Sequence, residues 1–316
     1  MTCDVSVIIP THNRLWSLPQ CIESCRSLAC KSEIIVVDDG STDGTWEWLQ
    51  KQTGVIAFRQ QNLGKDWAVN RGFADASGDF IRFLDSDDWL LPGTTDVQLS
   101  IGGDTGADVI VGGYVLCGER GEFLREQEWV RCDDFIAQQL GECDSSHYSA
   151  YLFRRSLIED IPHRPEAGIR DDRLFVLEVA LKKPRVAAYQ KPVFAHRQHD
   201  NERLQFPKGM RAAVTNFQHE KIYRRILNEL DQRGELTDRR KQAAANILWA
   251  LAHRIAYSHL DEARDLADFV FNLNPTFRIP ERGLLGSLYR NLGFGTTEVM
   301  LRFRRLMLHL APRRFT

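Results

Sequence analysis

The sequence predicts an α/β protein with a mostly parallel sheet flanked by helices and a helical C-terminal extension. Three observations predict it. Short apolar strands alternate with helical stretches over the N-terminal part of the chain. Polar clusters fall at the carboxyl ends of three of those strands. From about Lys208 the texture changes to long helices. Strand–helix alternation implies βαβ crossovers and parallel pairing.

Val5-Ser-Val-Ile-Ile9 reads as a buried strand, closed by Pro10 and the turn Thr11-His-Asn-Arg14. Apolar residues at helical spacing predict a helix from Leu15 to Leu28. Glu33 to Val37 is a second strand, ending in Asp38-Asp-Gly-Ser-Thr-Asp-Gly44, with a helix starting near Thr45. Val55 to Phe58 is a third strand, Lys65 to Ala76 a helix, and Phe80 to Leu84 a fourth strand. Later strands are expected at 108–115, 148–153, 186–190 and 193–195. Helices are expected at 209–230, 237–257 and 261–273. The domain reading is 1–205 for the α/β part and 206–316 for the helical part.

The chain has 316 residues and a formal net charge of −2. That balance argues against a nucleic-acid-binding surface. The seven cysteines are odd in number and lack a CxxC pair or zinc spacing. They read as reduced thiols of a cytosolic protein. No signal peptide or run of about 18 apolar residues is evident, so a cytoplasmic location is expected.

The densest chemistry lies in Phe83-Leu-Asp-Ser-Asp-Asp-Trp89. Carboxylates clustered at a strand end repel one another unless a cation offsets them. Oxygen ligands suit Mg²⁺ or Mn²⁺, which bring substrate phosphates with them. In α/β sheets, ligands bind beyond the carboxyl ends of the strands. The Thr11 turn, the Asp38-Asp39 pair and the Asp85 cluster all fall there. An EF-hand is excluded because Leu90 stands where the loop needs glycine. A haloacid-dehalogenase-like phosphatase is excluded by Trp89 two residues after Asp87.

Val7-Ile-Ile-Pro-Thr-His-Asn13, Val36 to Thr45, Asn62-Leu-Gly64 and Phe83 to Trp89 occur in that order. Together they resemble the family 2 glycosyltransferases, whose fold is GT-A and whose chemistry inverts the anomeric centre. The resemblance is dense over residues 3–100 and thins towards residue 205. It implies that Pro10, Thr11, Asn13, Asp38 and Asp39 hold the nucleotide of a nucleotide-sugar donor, with a UDP-sugar favoured. Asp38 has an alternative role in the local structure, and Asp43 or Ser41 is the better placed helix cap. Lys65 and Arg71 are expected to reach the donor phosphates. Many members carry Arg-Asn where this chain has Val69-Asn70.

Asp85-Ser86-Asp87 resembles the DxD motif. The resemblance implies Asp87 as principal metal ligand for Mn²⁺ or Mg²⁺, with Asp85 and Asp88 as further ligands or sugar contacts. Asp172, with Asp171 as alternate, matches the acidic dyad that supplies the general base. His199, or alternatively His196, matches a later Arg-x-His pattern and reads as a third metal ligand or diphosphate contact. His147 and Tyr148 are expected near the acceptor, and Trp89 either stacks on a sugar or packs. The acceptor implied is a glycan or lipid-linked glycan, in surface polysaccharide assembly. A nucleotidyltransferase of sugar phosphates and a non-catalytic glycan-binding scaffold are the rivals.

Glu298 to Leu310 has its own pattern. Arg302, Arg305 and His309 share one helical face, and Met300, Phe303, Met307 and Leu310 form an apolar one, with Arg304, Arg313 and Arg314 adding charge. Such a helix lies on an anionic membrane, through residues 296–316, or docks on the protein.

Overall fold

β1 (Val5–Thr11) is buried along its whole length. Its side chains alternate between two cores, Val5, Val7 and Ile9 on one face and Ile8 on the other. The sheet is therefore a middle layer with helices on both faces, and a strand in that position must be apolar throughout. The computed structural model that establishes this describes residues 3–26, 29–199 and 210–310, without the side chains of 210, 211 and 305–310. The expected 205/206 boundary, the helix start at Gly209 and the helix end at Leu28 lie outside the described residues. So do Arg313 and Arg314.

In chain order, α1 (Leu18–Arg26), β2 (Ser32–Asp38), α2 (Thr45–Leu49), β3 (Ile56–Arg59), α3 (Lys65–Ala74) and β4 (Phe80–Phe83) follow β1. Then come β5 (Trp89–Leu90), α4 (Thr94–Thr105), β6 (Val109–Cys117), β7 (Phe123–Gln127) and α5 (Phe135–Gln139). A 3₁₀ turn at Tyr148–Ala150 leads into β8 (Tyr151–Arg154) and α6 (Arg155–Ile158). A second turn at Pro165–Arg170 leads into α7 (Asp171–Leu181), and β9 (Val186–Arg197) completes the sheet. The helical part holds α8 (Met210–Gln232), α9 (Asp238–Ala256), α10 (Leu260–Leu273) and α11 (Gly283–Leu310).

The strand order is β3-β2-β1-β4-β8-β6-β9-β5, with β7 beside β6. β3-β2-β1-β4 is parallel throughout, as the alternation predicts. Beyond β4 the sheet is mixed: β8 runs antiparallel to both neighbours, while β6 and β9 are parallel. The parallel register levels the strand ends. Thr11 pairs with Asp38 and Asp38 with Arg59. The Leu84 amide still donates to Ile8 O at 3.0 Å, and the chain then leaves the sheet as Asp85. One sheet edge thus collects the three polar clusters.

Two segments differ from expectation. Residues 186–190 and 193–195 form one strand, whose register against β6 shifts near Gly112 and Gly113. α1 starts three residues late, because the Ser17 and Leu18 amides both turn back to Arg14 O, at 3.0 and 2.9 Å. α3 crosses the sheet so closely that a Cβ on Gly72 would lie 2.7 Å from Ile8 Cγ2.

The chain divides into two compact units, 1–139 with 143–204, and 140–142 with 205–316. Within the helical unit Trp249 is buried among Phe271, Phe277, Tyr289 and Phe294. α11 is broken at Gly293, whose φ of 76° and ψ of 170° are not helical. Among the described residues no helix is long and apolar enough to cross a membrane.

Candidate active site

The loops after β1 and β2 lock into each other. The Asp39 amide donates to Thr11 O at 2.8 Å, and the Asn13 amide to Ser41 Oγ at 2.9 Å. Asn13 has φ 52°, a conformation Asn tolerates, and its Oδ1 accepts the Thr42 amide at 2.8 Å. Asp43 accepts the Leu15 and Thr45 amides, at 3.1 and 3.0 Å, which ties the turn to the start of α2. His12 Nδ1 lies 2.8 Å from Asp39 O, so it donates there and leaves Nε2 to accept from Asn13 and Asn62. Thr11 is 2% exposed and its hydroxyl has no hydrogen-bond partner among the described residues. A buried unsatisfied hydroxyl is costly, which suits a ligand group arriving there.

Both acids of the pair are embedded. Asp38 accepts the Ser41 amide at 3.2 Å, and Arg59 Nε lies 3.2 Å from its other oxygen. Asp39 holds the next loop: Leu63 and Gly64 amides donate to its two oxygens at 2.9 and 2.8 Å, and Gln60 adds a third bond at 2.8 Å. Gly40, at φ 75°, lets this turn approach, since a Cβ there would lie 2.9 Å from Asn62 N. Pro10, buried in β1 and level with Val37, ends at the same loops.

The acidic cluster is built on the β4–β5 connection. Ser17 Oγ donates to Ser86 O at 2.9 Å, and the Asp88 amide to Asp85 O at 3.0 Å. Asp85, Asp88 and His147 bring their ligand atoms within 4.8 Å of one another. This is the one potential metal group of three found among the described residues. Asp88 has no side-chain exposure, accepts the Arg197 amide at 2.9 Å and faces His196 at 3.1 Å. Burial pushes its carboxyl up to about 6; His196 opposes this, and Asp87 and Asp85 add to it. Burial, aided by His196, pushes His147 down to about 4, which leaves a neutral imidazole. Crowded carboxylates beside an unprotonated imidazole fit a divalent cation, because it relieves the repulsion; the ring would join by giving up the Ser149 amide that its Nδ1 accepts at 3.3 Å.

Asp87 and His199 are placed as a pair of their own. His199 Nε2 lies 3.1 Å from Asp87 Oδ2, and Arg14 Nε 3.6 Å from the same oxygen. Burial works to raise the Asp87 carboxyl, but His199 and Arg14 outweigh it and pull it down to about 2. The sequence reading put Asp87 at the head of the ligand set and did not assign Arg14 or use His147 as a ligand. Arg14 was visible within the strand-end turn. His147 was not, because only β6, β8 and the 3₁₀ turn bring it to Asp85. Trp89 packs under Arg197, whose guanidinium lies 4.7 Å from its ring centre.

Lys65, the first residue of α3, pairs with Asp85 at 2.5 Å. Burial disfavours its charge, yet Asp85 and Asp172 outweigh that and raise its pKa. Arg71 lies on the exposed side of α3, 3.4 Å from Asp75 and over Phe58, and is not brought to this group.

Asp171 and Asp172 open α7 and part company. Asp171, 2% exposed, accepts from His163 Nδ1 and from the Arg164 amide. His163 Nε2 is left to accept from Tyr148 OH at 2.7 Å. Asn70 clamps the His163 backbone with two bonds, at 2.8 and 2.9 Å. Asp66 hydrogen-bonds Asp171, and burial together with the Asp171 charge pushes the Asp66 carboxyl up to about 8. Asp171 is thus an anchor. Asp172 stays partly exposed; burial raises its carboxyl against the pull of Lys65. A raised carboxylate beside a half-buried lysine and an acidic group is the environment in which a carboxylate accepts a proton near neutral pH.

A mixed α/β sheet that gathers three loops, a carboxylate–imidazole group and a raised aspartate at one edge has the architecture of the GT-A fold. The family model of glycosyl transferase family 2 matches residues 6–161. Those residues, just under half of the chain, carry that family's pattern. EpsH of Bacillus subtilis (strain 168) is 28% identical over 240 residues, 67% of each chain. GlyA of Streptococcus pneumoniae and a glycosyltransferase of Haemophilus influenzae, 32% and 33% identical, are matched over 17% and 51% of their own length. Among solved structures, S. aureus TarS 1–349 in complex with UDP-GlcNAc superimposes with a TM-score of 0.65 at 19% identity, covering 95% of this chain and 92% of that one. The mannosyltransferase PcManGT from Pyrobaculum calidifontis, in complex with GDP-Man and Mn²⁺, gives 0.55 at 15% identity, covering 96% and 88%. At these identities the two structures establish the fold.

Proposed function

We propose that the protein is an inverting, metal-dependent glycosyltransferase. It moves a sugar from a nucleotide-sugar, a UDP-sugar, to a hydroxyl of a glycan or lipid-linked glycan. The setting is surface polysaccharide assembly at the cytoplasmic face of a membrane. One observation carries the reading: Asp85, Asp88 and His147 gather where Lys65 and Asp172 also converge. UDP-GlcNAc in TarS and GDP-Man with Mn²⁺ in PcManGT support the donor class and the metal.

Asp85, Asp88 and His147 would hold the cation, with Asp87 and His199 adjoining. An imidazole in the set favours Mn²⁺ over Mg²⁺. When bound, the cation supplies Lewis-acid neutralisation of the leaving diphosphate. Thr11, Asn13 and Asp39 receive the base and ribose. Lys65 shifts part of its pairing from Asp85 to a donor phosphate. Asp172 takes the proton of the acceptor hydroxyl as that oxygen attacks the anomeric carbon. Attack comes from the face opposite the diphosphate. The bond to the nucleotide diphosphate breaks with its electron pair on the departing oxygen, so the configuration inverts.

The test is nucleotide release from a panel of UDP- and GDP-sugars with Mn²⁺, with and without chelator. Release from a UDP-sugar that stops with chelator is expected. Neither binding nor turnover of any nucleotide-sugar would remove the reading.

A further inference from the structure

The terminal helix is docked and free at once. Residues 282–316 carry seven arginines and one acid, Glu298. That acid is 2% exposed. Its Oε1 accepts from Tyr289 OH at 2.6 Å and lies 2.6 Å from His253 Nδ1. Glu281 closes the far side of the same histidine, 3.2 Å from Nε2, and takes the Trp249 indole at 3.1 Å. Phe294 and Thr297 are buried with Glu298 and form the inner face of the helix after the Gly293 break. The segment's only negative charge is therefore turned inward and matched.

The opposite face is turned out. Val299 is 46% exposed, Met300 47% and Phe303 65%. Exposed Arg302 and Arg304 flank that stripe on its two sides at helical spacing. In the sequence the apolar spacing continues with Met307 and Leu310, and further arginines follow at 305, 313 and 314. An apolar stripe between two arginines, with no exposed acid among the described residues of the same helix, is complementary to an anionic bilayer. The apolar side chains enter the headgroup boundary while the guanidiniums reach phosphates. A nucleic acid would use the arginines and leave Val299, Met300 and Phe303 without purpose.

We infer that the face of α11 formed by Val299, Met300 and Phe303, between Arg302 and Arg304, is an in-plane contact surface for an anionic lipid bilayer, with Glu298 and its partners holding the helix in that orientation. This rests on the reading that the acceptor is membrane-borne, but its test needs no transferase activity.

The experiment is sedimentation of the full chain with vesicles of phosphatidylcholine alone, or with about a third phosphatidylglycerol. The expected result is binding to the anionic vesicles that salt weakens, and little to the neutral ones. Arg302→Gln with Arg304→Gln removes two charges. At about 1 kcal/mol each, the partition coefficient falls on the order of 30-fold. Phe303→Asp lowers it as well. Because all three residues are exposed, circular dichroism of the variants should match the parent. Equal binding to both vesicle types, no binding to the anionic ones, or variants that bind like the parent overturn the inference. So does RNA that binds through the same arginines while anionic vesicles do not. Loss of vesicle binding with nucleotide-sugar turnover intact separates this surface from the catalytic reading.

Discussion

At the scale of single residues, the site works by dividing like groups between unlike environments. Asp171 and Asp172 are neighbours, yet one is saturated by His163 and Arg164 and the other stays partly exposed with its carboxyl raised by burial. Asp66 carries the most readable consequence. An acid raised to about 8 in the fold and near its ordinary value in the unfolded chain binds more protons when folded. Stability from this group is present at low pH and is lost as pH rises through about 8. Melting temperature should therefore fall between pH 6 and 9 by more in the parent than in Asp66→Asn, which keeps a donor to Asp171 without the charge. Identical pH slopes in the two proteins would show that Asp66 carries no such proton. None of this was legible beforehand, since Asp66 looks like an ordinary acid in a helix's first turn. The position of Asp172 after the DxD segment is readable from the sequence; the raised carboxyl there is not.

The parallel β3-β2-β1-β4 element is what puts the loops in register, and it depends on close packing under α3. Gly72 sits where any side chain meets Ile8. Gly72→Val should therefore destabilise by roughly 1–3 kcal/mol through overpacking. Ile8→Ala, by removing the side chain on the other side of that contact, should cost about 2–5 kcal/mol. Chemical denaturation measures both, and a change below about 0.5 kcal/mol in either would contradict the close contact. These strands were readable from the sequence because each is a short apolar run ending in turn chemistry. β5, β7 and α4 were not. β5 has two residues, β7 is exposed along most of its length, and α4 carries two glycines within a weakly patterned stretch. Such elements exist because neighbours hold them, a tertiary cause that local pattern does not carry. The same limit hid His147. Its place beside Asp85 is fixed by β8 pairing between β4 and β6.

For the whole molecule, the order of motifs along the chain already implied the α/β catalytic part, and the fold agrees. The helical unit was read only as helices. Its physical content is a buried Trp249 with aromatic neighbours and a His253 set between Glu281 and Glu298. That polar core gives the terminal helix an inside and an outside, where sequence periodicity alone left docking and membrane contact as alternatives.

In the proposed mechanism Asp172 moves the acceptor's proton at a site that binds the donor independently of it. The direct measurement is sugar transfer by Asp172→Asn, beside calorimetric binding of the donor with Mn²⁺. Transfer is expected to fall by at least roughly a hundredfold, the scale of a lost general base, with the donor dissociation constant within a few-fold of the parent. Transfer close to the parent's, or loss of donor binding in step with loss of transfer, would contradict it.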